Sequence, residues 1–204
     1  MSGENVLGIL CSGRGTNLQS IMEAVKSGQI PARIAVVLTD KPDAKALERA
    51  AEANIPHACI DRKKYDDKEA FEKALISELR NHGVTLVILA GFMRILSPYF
   101  VHEYKGRIMN IHPSLLPSFG GAHAHRDVLA YGVKVSGCTI HFVDEGMDSG
   151  PIILQTAVPV MQDDDEDTLA ARVLVEEHKL YPKAIELCCK GKLKVEGRHV
   201  RILE

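Results

Sequence analysis

In the stretch Asn110-Ile111-His112-Pro113-Ser114-Leu115-Leu116-Pro117 an amide and an imidazole stand two residues apart. The apolar run at residues 107–111 predicts a short buried strand, and Pro113 ends it. Side chains two apart on a strand face the same side. Asn110 and His112 then present an N–H donor and a titratable ring together at a strand's C-terminal end, where open α/β sheets bind ligands. A carboxylate follows downstream, Asp148 in Asp144-Glu145-Gly146-Met147-Asp148-Ser149-Gly150-Pro151, a glycine-rich loop between two strand-like runs. Amide, imidazole and carboxylate together suit oxyanion stabilisation and proton movement. Taken alone, Asn110 and His112 are equally a satisfied polar pair at a strand end. The proline-rich exit and the second acidic glycine loop tip the reading toward a site.

The elements that must position these residues alternate along the chain. Residues 5–11 read as a buried parallel strand, followed by the loop Ser12-Gly13-Arg14-Gly15-Thr16-Asn17 and a helix through Ser27. A strand at 33–39, an alanine-rich helix at 43–53 and a short strand at 57–60 follow. A long helix spans 66–82 with Phe71, Leu75 and Leu79 as its apolar stripe. The strand at 85–90 is apolar throughout and therefore central. Residues 91–96 are its exit loop, and Ser97-Pro98 caps a short helix. Residues 118–124 form a mobile glycine- and histidine-rich loop, and 127–131 are helical. Residues 135–143 alternate, which predicts a half-exposed, antiparallel strand with Gly137, Thr139 and His141 on one face. A strand at 152–160, a helix from the acidic run 163–167 through Cys189 and a terminal hairpin around Glu196-Gly197 complete the chain. The acidic run suits a helix N-terminus. Such alternation, without repeats or linkers, predicts one α/β domain over residues 1–204 around a mainly parallel sheet.

The first glycine loop joins a strand to a helix, and helix N-termini hold phosphate through free N–H groups and a positive dipole end. Two readings stay open. One is an imperfect dinucleotide fingerprint, with Leu18 where the third glycine belongs and Asp40 as a ribose-binding acid. The other is a monophosphate cup lined by the Gly15 and Thr16 amides and the Asn17 side chain, which the extra donors favour. His123-x-His125 with His112 and Asp148 offers zinc ligands in principle, but the usual metal spacings are missing and no metal is expected. A nucleophile elbow is absent, which disfavours a serine hydrolase. His141 reads as lining a strand face.

At 204 residues with a net charge of −2, 46% hydrophobic and 25% charged, the chain is long enough for a substantial core and shows no nucleic-acid footprint. No apolar run approaches a membrane span, and the polar start predicts no secretory leader. Five cysteines without zinc or redox spacing read as small, buried, reduced thiols, which fits a cytoplasmic protein.

In combination the motifs resemble the folate-dependent formyltransferases. Ser12-Gly13-Arg14-Gly15-Thr16-Asn17-Leu18-Gln19, Leu89-Ala90-Gly91-Phe92-Met93-Arg94-Ile95-Leu96-Ser97, Asn110 to Pro117, Asp144 to Pro151 and Glu176-Glu177-His178-Lys179-Leu180-Tyr181-Pro182 match that family in order and spacing. The resemblance implies a single Rossmann-like α/β domain with helices on both faces of a twisted sheet and an antiparallel strand in the C-terminal half. It implies transfer of a formyl group from the cosubstrate 10-formyltetrahydrofolate to the amine of 5-phosphoribosylglycinamide in purine (IMP) biosynthesis. Alternatives are another formyl acceptor or hydrolysis of the donor; a reading from another class is a non-catalytic dinucleotide-binding regulator. Carried over by position, Asn110, His112 and Asp148 are catalytic. Gly15, Thr16 and Asn17 take the ribonucleotide phosphate, and Glu177 takes the glycinamide end. Lys68, Met93, Arg94, Ile95, Leu96, Asp144, Glu145, Gly146 and Met147 take the folate. Lys68 stands where the family often has arginine, and Phe119-Gly120-Gly121 where proline-glycine is common. The implied partners are small molecules, with no metal, nucleic acid or membrane, in a monomer or homodimer.

Overall fold

A computed structural model describes residues 4–204. Along the chain run β1 (Val6–Cys11), α1 (Thr16–Lys26), β2 (Arg33–Thr39), α2 (Lys45–Glu52), β3 (His57–Cys59), α3 (Lys68–Asn81), β4 (Leu86–Leu89), α4 (Pro98–Glu103) and β5 (Ile108–His112). After them come α5 (Ala124–Tyr131), β6 (Val135–Phe142), β7 (Ile152–Pro159), α6 (Glu166–Cys189), β8 (Leu193–Glu196) and β9 (His199–Ile202). Two compact units divide the chain, one ending at Met109 and the other running from Asn110 to Glu204, so the boundary falls inside β5. Parallel strands alternating with helices, then antiparallel pairs toward the C-terminus, form the α/β class that the sequence predicts.

In the first unit the ladders are parallel, with the order β3-β2-β1-β4. Every residue of β1 and β4 is buried. That is why both read as unbroken apolar runs: a parallel strand covered on two faces has no solvent side to mark with polar residues. Gly8 interrupts the run for a steric reason. A Cβ there would lie 2.5 Å from Leu79 of α3 and 2.9 Å from Val84. The exits of β1, β2 and β4 are loops at the C-terminal ends of neighbouring parallel strands, the expected location of a binding site.

In the second unit β6 pairs antiparallel with β7, β7 meets β9 in parallel at Ile152 and His199, and β8 and β9 form the terminal hairpin. Strand β6 is not half exposed. Ser136 through Phe142 are all buried. Cys138 joins Val128 of α5, Val158 of β7, and Leu169 and Val173 of α6 in one apolar cluster. Thr139, on the opposite face, takes a hydrogen bond from Leu116 N (3.1 Å) and donates one to Ser114 O (2.7 Å). The polar alternation marks a face covered by hydrogen-bonding backbone, not by water. Gly137 is needed because a Cβ would overlap the carbonyl of Thr156.

Helix α6 starts as its acidic run implies. Asp165 is the N-cap and forms a capping box with Thr168, and Asp164 makes a bidentate pair with Arg172. Helix α5 starts three residues before the predicted position. Its N-cap, His123, makes no side-chain cap bond, so nothing local marks the start.

Candidate active site

Strand β5 delivers Asn110 and His112, and the loop after β6 delivers Asp148. The two segments meet: His112 Nδ1 lies 3.4 Å from Asp148 Oδ2. A fourth side chain, His141 of β6, joins them. Its Nε2 is 3.2 Å from Asn110 Nδ2 and 3.9 Å from Asp148 Oδ1. The sequence reading places His141 on a strand face but misses this role. Its spacing from Phe142 and Val143 carries no signal; only the pairing of strands brings it beside Asn110.

The hydrogen bonds fix much of the chemistry. His141 Nδ1 faces the Phe142 carbonyl at 2.9 Å, and a carbonyl can only accept, so Nδ1 carries the proton. Burial lowers the proton affinity of His141, against the opposing pull of the Phe142 carbonyl and Asp148. The ring is therefore neutral, and Nε2 accepts a hydrogen bond from Asn110. This orients the Asn110 amide with its N–H groups toward the cluster. At His112, both nitrogens face acceptors: Nε2 donates to Phe119 O (2.9 Å) and Nδ1 faces Asp148.

The loop that departs from the family pattern closes around this pair. Gly121 N donates to Asp148 Oδ2 at 2.8 Å, and Ser114 Oγ donates to Ser118 O at 2.6 Å. Gly121 has a φ of 94°, a left-handed conformation that favours glycine and lets its N–H reach the carboxylate. Asp148 itself has a φ of 50°, a left-handed conformation that is uncommon for a residue with a side chain. Asp144 Oδ1 accepts from Gly146 N (3.1 Å) and Ser149 Oγ (2.6 Å), which folds the 144–149 loop on itself. Glu145, Gly146 and Met147 are exposed there. Glu177, on α6, is buried.

In the first unit Gly15 takes a φ of 69° and serves as N-cap of α1, with Thr16 and Asn17 as its first residues. Helix α2 braces this turn. Ala46 N donates to Gly13 O (3.2 Å), Arg49 Nε donates to Arg14 O (2.9 Å), and a Cβ on Gly15 would come within 3.0 Å of Ala46. The dinucleotide reading loses its acid: the Asp40 side chain is fully enclosed and paired with Arg94, so it cannot reach a ribose hydroxyl. In the 91–97 loop Met93, Arg94 and Ile95 are exposed while Leu96 is buried; Lys68, at the start of α3, is exposed.

Cys11, Cys138, Cys188 and Cys189 are poor nucleophiles because burial raises their thiols. Burial pushes the thiols of Cys11 and Cys138 up to about 12. Among the described residues no group of three or more His, Cys, Asp or Glu is arranged to hold a metal ion, and no helix is long and apolar enough to cross a membrane.

The family model described as "Formyl transferase" matches residues 6–185. Phosphoribosylglycinamide formyltransferase of Escherichia coli (strain K12) is 45% identical over 187 residues, covering 92% of this chain and 88% of that protein. The trifunctional purine biosynthetic protein adenosine-3 of Chironomus tentans is 46% identical over 194 residues, and the chain spans only 14% of its length. Among solved structures, glycinamide ribonucleotide transformylase 1 from Symbiobacterium toebii superposes with a TM-score of 0.97 at 49% identity, covering 98% of this chain and 95% of that one.

Proposed function

This chain belongs to the formyl transferase family, and from that premise we propose that it moves a formyl group from 10-formyltetrahydrofolate to the amine of 5-phosphoribosylglycinamide, in the purine biosynthesis of the cytoplasm. The observation that carries the reading is the contact of His112 with Asp148 beside an Asn110 amide oriented by His141. An amide donor, an imidazole and a carboxylate within hydrogen-bond reach are what acyl transfer to an amine requires.

The uncharged amine attacks the formyl carbon. A C–N bond forms and the carbonyl π pair moves onto oxygen. Asn110 has two N–H groups, one bonded to His141; the second holds the oxyanion, and His112 Nε2–H joins it by exchanging the Phe119 carbonyl for that oxygen. The attacking nitrogen, now cationic, gives up a proton to Asp148, directly or through water. The oxyanion collapses, the bond to folate N10 breaks, and that nitrogen receives the proton. N-formyl product and tetrahydrofolate leave. The folate is a cosubstrate, and the sequence of steps uses no metal.

The remaining assignments follow the family motifs. Gly15, Thr16 and Asn17 bind the phosphate at the start of α1, and Glu177 binds the glycinamide end. Lys68, residues 93–96 and residues 144–147 bind the folate. Lys68 offers a point charge where arginine would give a bidentate contact. The 204 residues act as one formyltransferase domain.

The test is an assay of 10-formyltetrahydrofolate consumption with and without 5-phosphoribosylglycinamide. Formylated product, dependent on the acceptor, is expected. Equal donor loss without acceptor would identify a hydrolase instead, and no turnover with this amine would direct the search to another acceptor.

A further inference from the structure

We propose that Asp40 is a positioning residue for the donor-binding loop, holding Arg94 and thereby setting the backbone of residues 91–97. The proposal rests on the reading of Met93 to Leu96 as folate contacts. Asp40 follows β2 directly. Its side chain is fully enclosed, and Oδ2 accepts from Arg94 Nε at 2.6 Å. Its other oxygen is also buried and has no hydrogen-bond partner among the described residues. A carboxylate withdrawn from water is costly unless paired, and here a guanidinium 54 positions away supplies the charge.

The geometry shows what the pair accomplishes. Residues 91–97 leave β4, and β1 lies between β4 and β2 in the ladder. Arg94 must therefore reach past the end of β1 to meet Asp40. The loop is tied down on either side of Arg94 as well. Ser12 N donates to Gly91 O (3.0 Å), and Ser12 Oγ accepts from Met93 N (2.8 Å). Ser97 N and Oγ both donate to the buried carboxylate of Glu72, the amide at 2.8 Å. Between these ties Met93 and Ile95 stand 66% and 60% exposed. Two large apolar side chains facing solvent from a backbone fixed at three points make a platform for a flat apolar ligand face. Arg94 is the middle tie. Its Nε is committed to Asp40, and through this bond Arg94 serves the donor by way of the loop.

The test is a double-mutant cycle on the whole enzyme with Asp40→Asn, Arg94→Gln and the double variant, measuring KM for each substrate and kcat. Each single variant is expected to raise KM for 10-formyltetrahydrofolate about tenfold, with kcat and KM for 5-phosphoribosylglycinamide within about twofold of wild type. The double variant is expected to be no worse than either single one. A donor KM raised by Arg94→Gln but not by Asp40→Asn, or additive effects, would mean that Arg94 touches the donor itself. Either result overturns the proposal and leaves the loop assignment standing. No change in donor KM in any variant removes the loop assignment along with it. Arg94→Gln leaves a buried carboxylate without its counter-ion and can fail to fold. In that case Asp40→Asn against the double variant decides: an equal, raised donor KM supports the proposal, and a wild-type value in Asp40→Asn or a further rise in the double variant overturns it.

Discussion

Asn110 donates one amide proton to a neutral histidine and, in the proposed mechanism, offers another to the reacting oxygen, so its orientation depends on His141 as much as on its own strand. Removing the amide by Asn110→Ala is expected to lower kcat about 100-fold, the usual cost of losing an oxyanion donor. His112→Ala should cost at least as much, since the ring also positions Asp148. Steady-state kinetics that find both variants at wild-type turnover would remove them from the chemistry. Asp148→Asn tests the proton relay separately. The variant keeps an oxygen to accept from Gly121 N but loses the proposed base, so kcat is expected to fall at least as far as in Asn110→Ala.

At the scale of elements, the start of α1 and the start of α6 are built differently. Helix α1 begins on a glycine in the left-handed region, pressed against α2. Gly15→Ala combines an unfavourable φ with a close approach to Ala46, and about 1–2 kcal/mol of destabilisation is expected from denaturant melts. The same variant should raise KM for 5-phosphoribosylglycinamide, because the turn presents the amides proposed to bind its phosphate. An unchanged KM would place the phosphate elsewhere. Helix α6 begins instead on a side-chain cap. Asp165→Ala loses the side-chain acceptor for Thr168 N while keeping the backbone N–H that donates to Thr168 Oγ1, and should cost about 1 kcal/mol, read as a lowered midpoint in urea.

At the scale of the whole molecule, one buried histidine, His141, and one half-buried histidine, His125, link stability to pH. Burial lowers the proton affinity of His125 and of His141, so both stay neutral in the fold while the unfolded chain takes up protons below about pH 6.5. The unfolded state then binds more protons than the native one. Stability is expected to be unaffected by these groups above that pH, to fall as pH drops through it, and to level off once the folded histidines protonate. Urea unfolding at pH 7.5 and 5.5 measures the difference, and a flatter dependence in His141→Gln would assign part of it. If the chain acts as one domain, fluorescence and far-UV dichroism should report a single coincident thermal transition. Separate transitions would mean that the two compact units melt independently.

Periodicity and local chemistry were enough to locate most strands and helices, because unbroken apolar runs, helix stops at glycine and acidic caps act within a few residues of where they are written. They also placed Asn110 and His112 on one side of a strand, since a period of two needs no tertiary information. An acidic glycine loop and a glycine turn opening a helix singled out Asp148 and residues 12–17, and the family motifs added the loop at residues 91–97. Three things were decided only when distant segments met. Strand β6 became buried on both faces because α5 and α6 cover one side and the backbone after His112 covers the other. His141 became the orienting base for Asn110, a relation between residues 31 apart in sequence. Asp40 changed from a candidate ligand group into an enclosed partner of Arg94. Each depends on which side chain ends up opposite which, and strand pairing and loop packing set that, not local sequence.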